Sequence, residues 1–352
     1  MLFNKPFTFF YLVMIIGVLP LSSYMCNPTI TAQSNKSTIQ KPFKNFTIKG
    51  VGLVASVKEI KPEAFTAILN TNANSITIMP YAFCSVGQPM VQYNNPRQWW
   101  GEKDEGVIGT IVLAKQYGLS IMLKPHLWLR HGSYTGDFML PDEKSWQIFE
   151  DSYKNYVLHY AKICDSLQVQ MFCIGIELGT AVRERPAYFS QLIDEVKAVY
   201  KGKITYAANW DDYGRFPFWN KLDFIGVDAY FPLINATNPT VAELQTAWQP
   251  HIAKMETLSK QFKKPIIFTE YGYRNTDSCT AEPWKENVAT INNQAQANAY
   301  EGLYKAIANK PWFAGGFVWK WYADDYYRNA ARADYTPQNK EAQKVMANWY
   351  GK

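Results

Sequence analysis

Several patterns that mark common protein classes are missing from this chain of 352 residues. No GxGxxG motif opens a helix after the first predicted strand, because Gly50-Val51-Gly52 is a lone GxG inside that strand. The sequence therefore argues against an open, doubly wound sheet that binds a dinucleotide. The 4 histidines and 5 cysteines show no metal-ligand spacing, so we expect neither a metal nor another cofactor.

Positive charge is not concentrated in any one segment. The 36 basic and 30 acidic residues are interspersed, the net charge is +6, and no basic run is longer than a pair. Nucleic acids and anionic membrane surfaces bind proteins through clustered lysine and arginine side chains. We therefore expect neither of them as a partner.

One apolar run is long, and it lies at the start of the chain. Lys5 precedes a charge-free segment at 7–21 that has Pro20 near its end. This pattern is typical of a secretory leader, and cleavage after Ala32 would assign residues 1–32 to it. Lipid attachment at Cys26 and a retained membrane anchor are alternatives, although the run is short for a membrane span. We predict export to the periplasm, to the medium or, as a lipoprotein, to the cell surface.

A polar segment at 33–45 is predicted to link this leader to a single folded domain at 46–352. No second membrane-length apolar run occurs in that domain, which we expect to be a soluble monomer. Its cysteines are too sparse for a disulfide framework. Cys173 lies within an apolar strand, which favours a buried free thiol, while an even number of cysteines leaves a bridge open. These cysteines are Cys84, Cys164, Cys173 and Cys279.

Short apolar strands alternate with longer amphipathic helices along this domain, in eight pairs. Strict alternation requires a parallel sheet with crossovers, and eight repeats close into a barrel more readily than they extend as an open sheet. We therefore predict a (β/α)8 TIM barrel. The predicted strands are 48–54, 75–81, 120–126, 170–177, 204–209, 224–230, 266–270 and 316–321. The predicted helices are 62–70, 106–117, 143–166, 186–200, 216–221, 241–260, 293–308 and 340–349, the fifth being the shortest.

Two of these strands end in a glutamate. Glu177 closes the fourth strand and Glu270 closes the seventh. A single glutamate at such a position is more often an ion-pair partner than a catalyst. However, the carboxyl ends of all barrel strands meet on one rim, and paired carboxyl groups across a pocket are what glycosidic bond cleavage needs. A separation of about 5–5.5 Å between them gives retention of anomeric configuration, and a wider one gives inversion.

Further polar and aromatic side chains follow strands on the same predicted rim. They suit a sugar subsite, because aromatic rings stack on flat ligands and polar groups bind hydroxyls. Each alone has a plainer interpretation as a packing residue, but their convergence on one rim favours a binding site. The candidates are Lys124, His126, Asn209, Trp210, Asp228, Tyr230, Trp319 and Trp321.

Five separated motifs stand in order along the domain. They are CIGIEL around Glu177, ITYAANW at 204–210, LDFIGVDAYFPL at 222–233, KPIIFTEYGYR around Glu270 and GFVWKWYAD at 316–324. Together they resemble glycoside hydrolase family 113, a family of β-mannan-cleaving enzymes among the retaining barrels. The similarity covers nearly all of the chain from about Lys49 to its end.

The resemblance implies roles for several residues. Glu177 would be the acid/base and Glu270 the nucleophile, with Tyr230 close to the nucleophile. By the same analogy Trp319 or Trp321 would form the floor of the subsite at the point of cleavage.

Two features depart from the family pattern. Ile176 stands where many members of the wider clan have asparagine, so another donor must serve the 2-hydroxyl of the sugar. The segment HLWLRHGSYTGD at 126–137 does not align with the mannanases, and we expect it to shape substrate choice.

These features predict a retaining glycoside hydrolase that cleaves a β-linked oligo- or polysaccharide, with an endo-β-1,4-mannanase as the leading hypothesis. A related β-glycanase acting on glucan or another hemicellulose is the alternative among enzymes. A non-catalytic, surface-bound carbohydrate-binding barrel is the alternative from another class. A binder has no need of paired carboxylates, whose burial is costly, so that alternative has less support.

Overall fold

The computed structural model describes residues 46–130, 133–285, 290–323 and 332–352. The predicted leader and linker, including Cys26, lie outside the described residues, as does the end of the fifth motif at Asp324. What the sequence predicts for those segments therefore stays a prediction.

Eight parallel strands close into a barrel, which confirms the predicted (β/α)8 fold. Its neighbours run in the order β1, β2, β5, β7, β8, β9, β10, β11 and back to β1. These barrel strands are β1 (Ile48–Leu53), β2 (Ser75–Ile78), β5 (Ser120–Leu123), β7 (Met171–Ile176), β8 (Lys203–Asn209), β9 (Ile225–Asp228), β10 (Ile266–Tyr271) and β11 (Phe313–Trp321). The helices are α1 (Glu63–Leu69), α2 (Asp104–Gln116), α3 (Glu143–Ser166), α4 (Gly179–Glu184), α5 (Pro186–Val199), α6 (Val241–Phe262), α7 (Asn293–Ile307) and α8 (Glu341–Tyr350).

The barrel strands are apolar because both of their faces are covered. Every residue of β7, β9 and β10 is buried. Parallel strands with helices outside and side chains inside have no solvated face, so they lack the alternating pattern of an exposed sheet. Close packing inside the barrel also requires glycine at position 50, where a Cβ would lie 2.3 Å from a ring carbon of Phe317. Because helices cover the strands along their length, only side chains at the strand ends, on the rim of the barrel, can reach solvent.

Side-chain caps fix where several long helices begin. The Asp142 carboxylate accepts from the backbone N–H of Ser145 and starts α3, and Asn292 does the same for α7. Thr240 and Glu243 form a reciprocal capping box at the start of α6. Each cap satisfies backbone donors that the helix itself leaves unpaired, so the helix begins at a defined residue.

The structure corrects two predicted strands and one predicted helix. The strands at 75–81 and 120–126 end at Ile78 and Leu123, before Pro80 and Pro125. Proline lacks the N–H that a central strand needs, so the chain leaves the barrel at these points. It continues into a separate sheet of three strands, in the order β4-β3-β6. These are β3 (Tyr81–Ser85), β4 (Gln88–Tyr93) and β6 (His126–Leu129).

The predicted fifth helix is also reduced. Where the sequence predicts a helix at 216–221, the structure has a single 3-10 turn at Trp219–Lys221. Trp219 is fully buried there, and its indole N–H donates to the carbonyl of Tyr213 at 2.9 Å. Trp219 thus anchors a loop where a helix was predicted.

The cysteines of the described residues are buried free thiols, as predicted for Cys173. No disulfide joins Cys84, Cys164, Cys173 or Cys279, which closes the question of a bridge within the part of the chain that the structure describes. Among the same residues, no helix combines the length and apolar character required to cross a bilayer.

Candidate active site

A cleft of about 680 Å³ lies over the carboxyl ends of the barrel strands. Both strand-end glutamates open into it, although they come from β7 and β10 on different sides of the barrel. Its lining is mostly aromatic and carboxylate. The lining residues are His126, Trp128, Tyr134, Ile176, Glu177, Asn209, Trp210, Asp211, Asp228, Tyr230, Glu270, Trp284, Trp319 and Tyr335.

Glu270 is held by three neighbouring side chains. The Lys124 ammonium donates to its Oε1 at 2.7 Å, and the Tyr230 hydroxyl donates to its Oε2 at 2.9 Å. Nε2 of His126 lies 3.5 Å from Oε1, a longer polar contact. Burial alone would raise the pKa of Glu270, but the charge of Lys124 and the contact with His126 outweigh it and lower that pKa to about 2. Glu270 is therefore ionised at neutral pH.

Lys124 also binds a second carboxylate, that of Asp228. Its ammonium lies 3.0 and 3.3 Å from the two Asp228 oxygens, and the Thr269 hydroxyl donates to one of them at 2.6 Å. Burial lowers the pKa of Lys124, but Asp228 and Glu270 raise it by more, so the lysine stays charged. Burial raises the pKa of Asp228 to about 7 against the opposing charge of Lys124.

This geometry corrects the sugar-contact prediction for Lys124. Its side chain is 0% exposed and it is not among the residues that line the cleft. The ammonium lies beneath Glu270 and Asp228, so it acts on the charge of the site and does not touch a ligand. The position of Lys124 at a strand end correctly predicted that it lies near the cleft, but not that its side chain is buried below the cleft surface.

Glu177 directly follows β7 in a backbone conformation that is unusual for its residue type. Its φ is +50°, in the left-handed region, which costs roughly 1–2 kcal/mol for a residue with a Cβ. The surrounding hydrogen bonds hold it there, because its N–H donates to the carbonyl of Ala207 at 2.8 Å and the next N–H, of Leu178, donates to the Tyr206 hydroxyl at 2.7 Å. Strain of this kind is typical of functional positions.

The charges around Glu177 favour its protonated form. Burial raises its pKa well above the ordinary value, and the negative charges of Asp228 and Glu270 raise it further. Lys124 opposes this shift but does not cancel it. Glu177 consequently carries a proton under conditions in which Glu270 does not.

Polar and aromatic groups share the cleft with Glu177. The amide of Asn209 donates to the Tyr134 hydroxyl at 2.6 Å. Tyr134, Glu177 and Asp211 all line the cleft, and burial, with the negative charges of Glu177 and Asp211, raises the pKa of Tyr134. Trp210 stacks on Trp284 with 5.1 Å between ring centroids. Asn209 and Trp210 thus lie where the sequence predicts a sugar subsite.

The two tryptophans at the end of β11 do not share one face. Trp319 lines the cleft, whereas Trp321 is buried in the hydrophobic core, so its predicted place in the subsite is wrong. Val51 pairs with Val318 and Leu53 pairs with Trp321, so three steps on β11 oppose two on β1. The extra residue shifts the alternation of side chains by one position and takes Trp321 away from the cleft, into the core that β11 shares with the helices.

The sequence-based candidates omit four aromatic residues of the cleft. Trp128 and Tyr134 belong to the segment 126–137, which the sequence singles out for substrate choice without naming the side chains. Trp284 and Tyr335 follow β10 and β11 at a distance along the chain, in loops without a strand-end pattern. Their places beside the cleft are a property of the folded loops, which leave Trp284 exposed and bury Tyr335.

A closed parallel barrel that brings two strand-end glutamates into one aromatic-lined cleft has the architecture of a glycoside hydrolase. The sequence profile of Glycoside Hydrolase Family 113 matches residues 59–340. The chain belongs to this family, as its motifs predict.

Solved structures show the same relationship. The GH113 beta-mannanase of Alicyclobacillus acidocaldarius, in complex with ManMIm, is 25% identical, with 88% of this chain and 99% of that chain covered and a TM-score of 0.76. A second GH113 beta-1,4-mannanase is 25% identical over 87% of this chain and 99% of that chain, with a TM-score of 0.74. A Faecalibacterium prausnitzii beta-glucuronidase, 12% identical over 87% of this chain and 49% of that chain, shares the barrel fold at a TM-score of 0.59. No curated protein matches this chain in sequence.

Proposed function

We propose that this glycoside hydrolase is a retaining, endo-acting β-1,4-mannanase. The observation that carries the chemistry is the division of charge between Glu177 and Glu270 on one cleft. The substrate is proposed from the GH113 mannanases whose folds this chain shares along nearly their whole length.

In the first step Glu270 attacks the anomeric carbon and forms a glycosyl ester. The bond from that carbon to the leaving oxygen breaks, and Glu177 gives its proton to this oxygen. Lys124 keeps the attacking carboxylate ionised, and the Tyr230 hydroxyl, bound to Oε2, orients it. The acid and the nucleophile are therefore in the correct protonation states before the substrate binds.

In the second step water hydrolyses the ester. The negative charge of Glu270 is lost while the ester exists, so the pKa values of both Glu177 and Asp228 fall. Glu177, now ionised, removes a proton from the water that attacks the anomeric carbon, and Glu270 leaves as a carboxylate. Asp228 becomes fully ionised and balances the charge of Lys124 throughout the intermediate.

His126 is the donor that we propose for the 2-hydroxyl of the sugar at the point of cleavage. Ile176 has no polar group to offer, whereas Nε2 of His126 is buried at the cleft without a hydrogen-bond partner among the described residues. Burial lowers the pKa of His126, so the ring is neutral and can carry its proton on Nε2. His126→Phe is expected to lower kcat/KM on mannan about tenfold or more, with smaller loss in His126→Gln. Equal losses in the two variants would remove this role.

A panel of polysaccharides tests the proposed substrate. We expect manno-oligosaccharides of several lengths from mannan and glucomannan, because an endo-acting enzyme cuts within the chain and the aromatic lining of the cleft can hold several sugars. Equal or faster release from a β-glucan would favour the related glycanase. Binding of mannan without turnover would favour the non-catalytic barrel, which has no use for a strained Glu177.

We also propose that the protein is exported and acts as a monomer. The apolar run at 7–21 after Lys5 supports export, and the sparse cysteines and interspersed charges are compatible with a soluble body. Sequencing the mature N-terminus after cell fractionation tests this: a start at Gln33 supports cleavage, a lipidated Cys26 supports a surface anchor, and an uncleaved Met1 in the cytosol contradicts export. Light scattering of the purified protein tests the oligomeric state.

A further inference from the structure

The separate sheet of β3, β4 and β6 has one buried face and one open face. Ala82 and Cys84 on β3, with Leu127 and Leu129 on β6, point into the hydrophobic core. Side chains alternate along a strand, so the residues between them point the opposite way. We call this open face the sheet platform. It consists of Phe83, Gln92 and Trp128 on the three strands and of Arg130, which directly follows β6.

Aromatic rings pair across the open face. Parallel pairing places Tyr81 beside His126 and Phe83 beside Trp128. The rings of the first pair lie 5.1 Å apart. Trp128 is 53% exposed, although the core beneath it is fully formed. An indole as exposed as this one, beside the cleft, is available as a contact surface.

The platform is continuous with the catalytic cleft. His126 lies 3.5 Å from the nucleophile Glu270, and Trp128 follows it by two residues on the same face. Both side chains line the cleft that holds Glu177 and Glu270. A chain bound at the cleavage point can therefore extend directly onto Trp128 and Phe83.

The outer end of the platform is polar. The two terminal nitrogens of Arg130 lie 3.4 and 3.5 Å from the amide oxygens of Gln88 and Gln92. Gln92 pairs with Phe83 in the antiparallel register. Amides and a guanidinium beside aromatic rings match a pyranose, which has apolar ring faces and hydroxyls at its edge.

We propose that the sheet platform is an additional binding subsite for the same polysaccharide chain that is cleaved at Glu177 and Glu270. The inference rests on the proposed function and extends it, because it assigns sugar residues beyond the cleavage point to a sheet outside the barrel. Sugars stack on Trp128 and Phe83, and Arg130 and Gln92 hydrogen-bond to their hydroxyls. A protein partner on this face is the competing occupant.

The test compares substrates of increasing length. In Trp128→Ala the loss of kcat/KM is expected to be about tenfold greater for mannohexaose than for mannotriose, since only the longer substrate reaches the platform. Phe83→Ala gives the same trend with a smaller ratio, and Trp128→Tyr restores most of the activity because it keeps a ring. The control is Val112→Ala. Val112 is a side chain of α2 that is 44% exposed, and its replacement should leave kcat/KM unchanged for both substrates.

Electrophoresis in gels that contain mannan supplies a readout independent of turnover. We expect wild-type protein to be retarded by mannan and Trp128→Ala to be retarded less, with Val112→Ala like wild type. Equal losses on both oligosaccharides, or unchanged retardation of Trp128→Ala, overturn the platform while leaving the proposed function intact. A wild-type protein that cleaves neither oligosaccharide overturns the proposed function itself, and retardation by mannan then still decides whether the platform binds the chain.

Discussion

Glu177 and Glu270 are identical side chains at the ends of two barrel strands, yet the nearest charges have opposite signs. Glu270 receives hydrogen bonds from Lys124 and Tyr230 and has its pKa lowered to about 2. Glu177 is affected mainly by burial and by the negative charges of Asp228 and Glu270, which raise its pKa well above the ordinary value. Surroundings, not residue type, distinguish the proposed nucleophile from the proposed acid.

The difference depends on one buried cation. Lys124 is 2.7 Å from Glu270 Oε1 and in contact with Asp228, so its influence on Glu270 is direct. Its effect on Glu177 is outweighed by burial and by two carboxylates. Changes that remove the carboxyl group of Glu177 or of Glu270, or that remove Lys124, should therefore have distinct consequences for rate and for pH dependence.

The largest effect is expected from removing the ionised carboxylate. Glu270→Ala should lower kcat on mannan by about 10⁴-fold or more, the scale seen when a catalytic nucleophile is lost. Glu177 would remain in place, but without Glu270 no glycosyl ester can form. Reducing-sugar assays measure this, and Glu282→Ala is a matched control because that exposed glutamate pairs only with Lys285 among the contacts seen in the described chain. Comparable activity in the two variants would contradict the assignment.

Removing the protonated carboxyl should be less severe and should depend on the leaving group. Glu177→Gln is expected to lose about 10²–10⁴-fold on mannan, the usual contribution of general acid catalysis. An aryl β-mannoside with a good leaving group needs no proton, so its first step should be nearly as fast as in wild type. The alkaline fall of kcat/KM, which the raised pKa of Glu177 produces, should disappear in the variant. An equal loss on both substrates would argue against an acid at this position.

Replacing the shared cation should move the acid limb of activity. Burial favours the neutral form of Glu270, so Lys124→Met raises its pKa from about 2. The carboxylate is then ionised only at higher pH, and the acid limb of kcat/KM should shift upward by about one pH unit or more.

The free energy of unfolding is a second measurement on Lys124→Met. Two buried carboxylates left without their cation should cost about 3–5 kcal/mol of unfolding free energy at neutral pH, with part of the loss recovered as the pH falls and they protonate. Lys203→Met removes a partly exposed pair with Asp223 and should change stability by about 1 kcal/mol or less. An unmoved acid limb in a folded Lys124→Met protein would refute the role of the lysine.

The smallest effect is expected at the second hydrogen bond to the nucleophile. Tyr230→Phe removes the donor 2.9 Å from Glu270 Oε2 and should lower kcat/KM about tenfold, the value of one hydrogen bond to a charged group. Tyr188→Phe removes a comparable bond, to the carbonyl of Glu150 on the outside of the barrel, and should leave activity unchanged. Steady-state kinetics of both variants separate catalysis from general packing.

The barrel could be predicted because its strands are buried on both faces and alternate with helices, a pattern that local sequence carries. The appended sheet could not, because the runs at 75–81 and 120–126 look continuous unless Pro80 and Pro125 are taken as strand ends. In both runs the barrel strand ends two positions before the proline, and the hydrophobic pattern continues past that point.

The site was predictable to the level of strand ends and no further. Glu177 and Glu270 fall on the cleft that their positions predict, but the depth of Lys124 depends on contacts between distant strands. Trp321 packs away from the cleft because of a register shift against β1, which is a property of two strands together. Trp284 reaches the cleft through loop geometry, for which a single sequence offers no periodic signal.

The configuration of glycosyl azides formed by two variants tests the division of roles most directly. In Glu177→Ala, with an activated aryl β-mannoside, azide should attack the ester on Glu270 and give the β-mannosyl azide. In Glu270→Ala, azide should occupy the place of the missing carboxylate and give the α-mannosyl azide. The reverse pairing, or the same anomer from both variants, would contradict the assignment of Glu270 as nucleophile and Glu177 as acid.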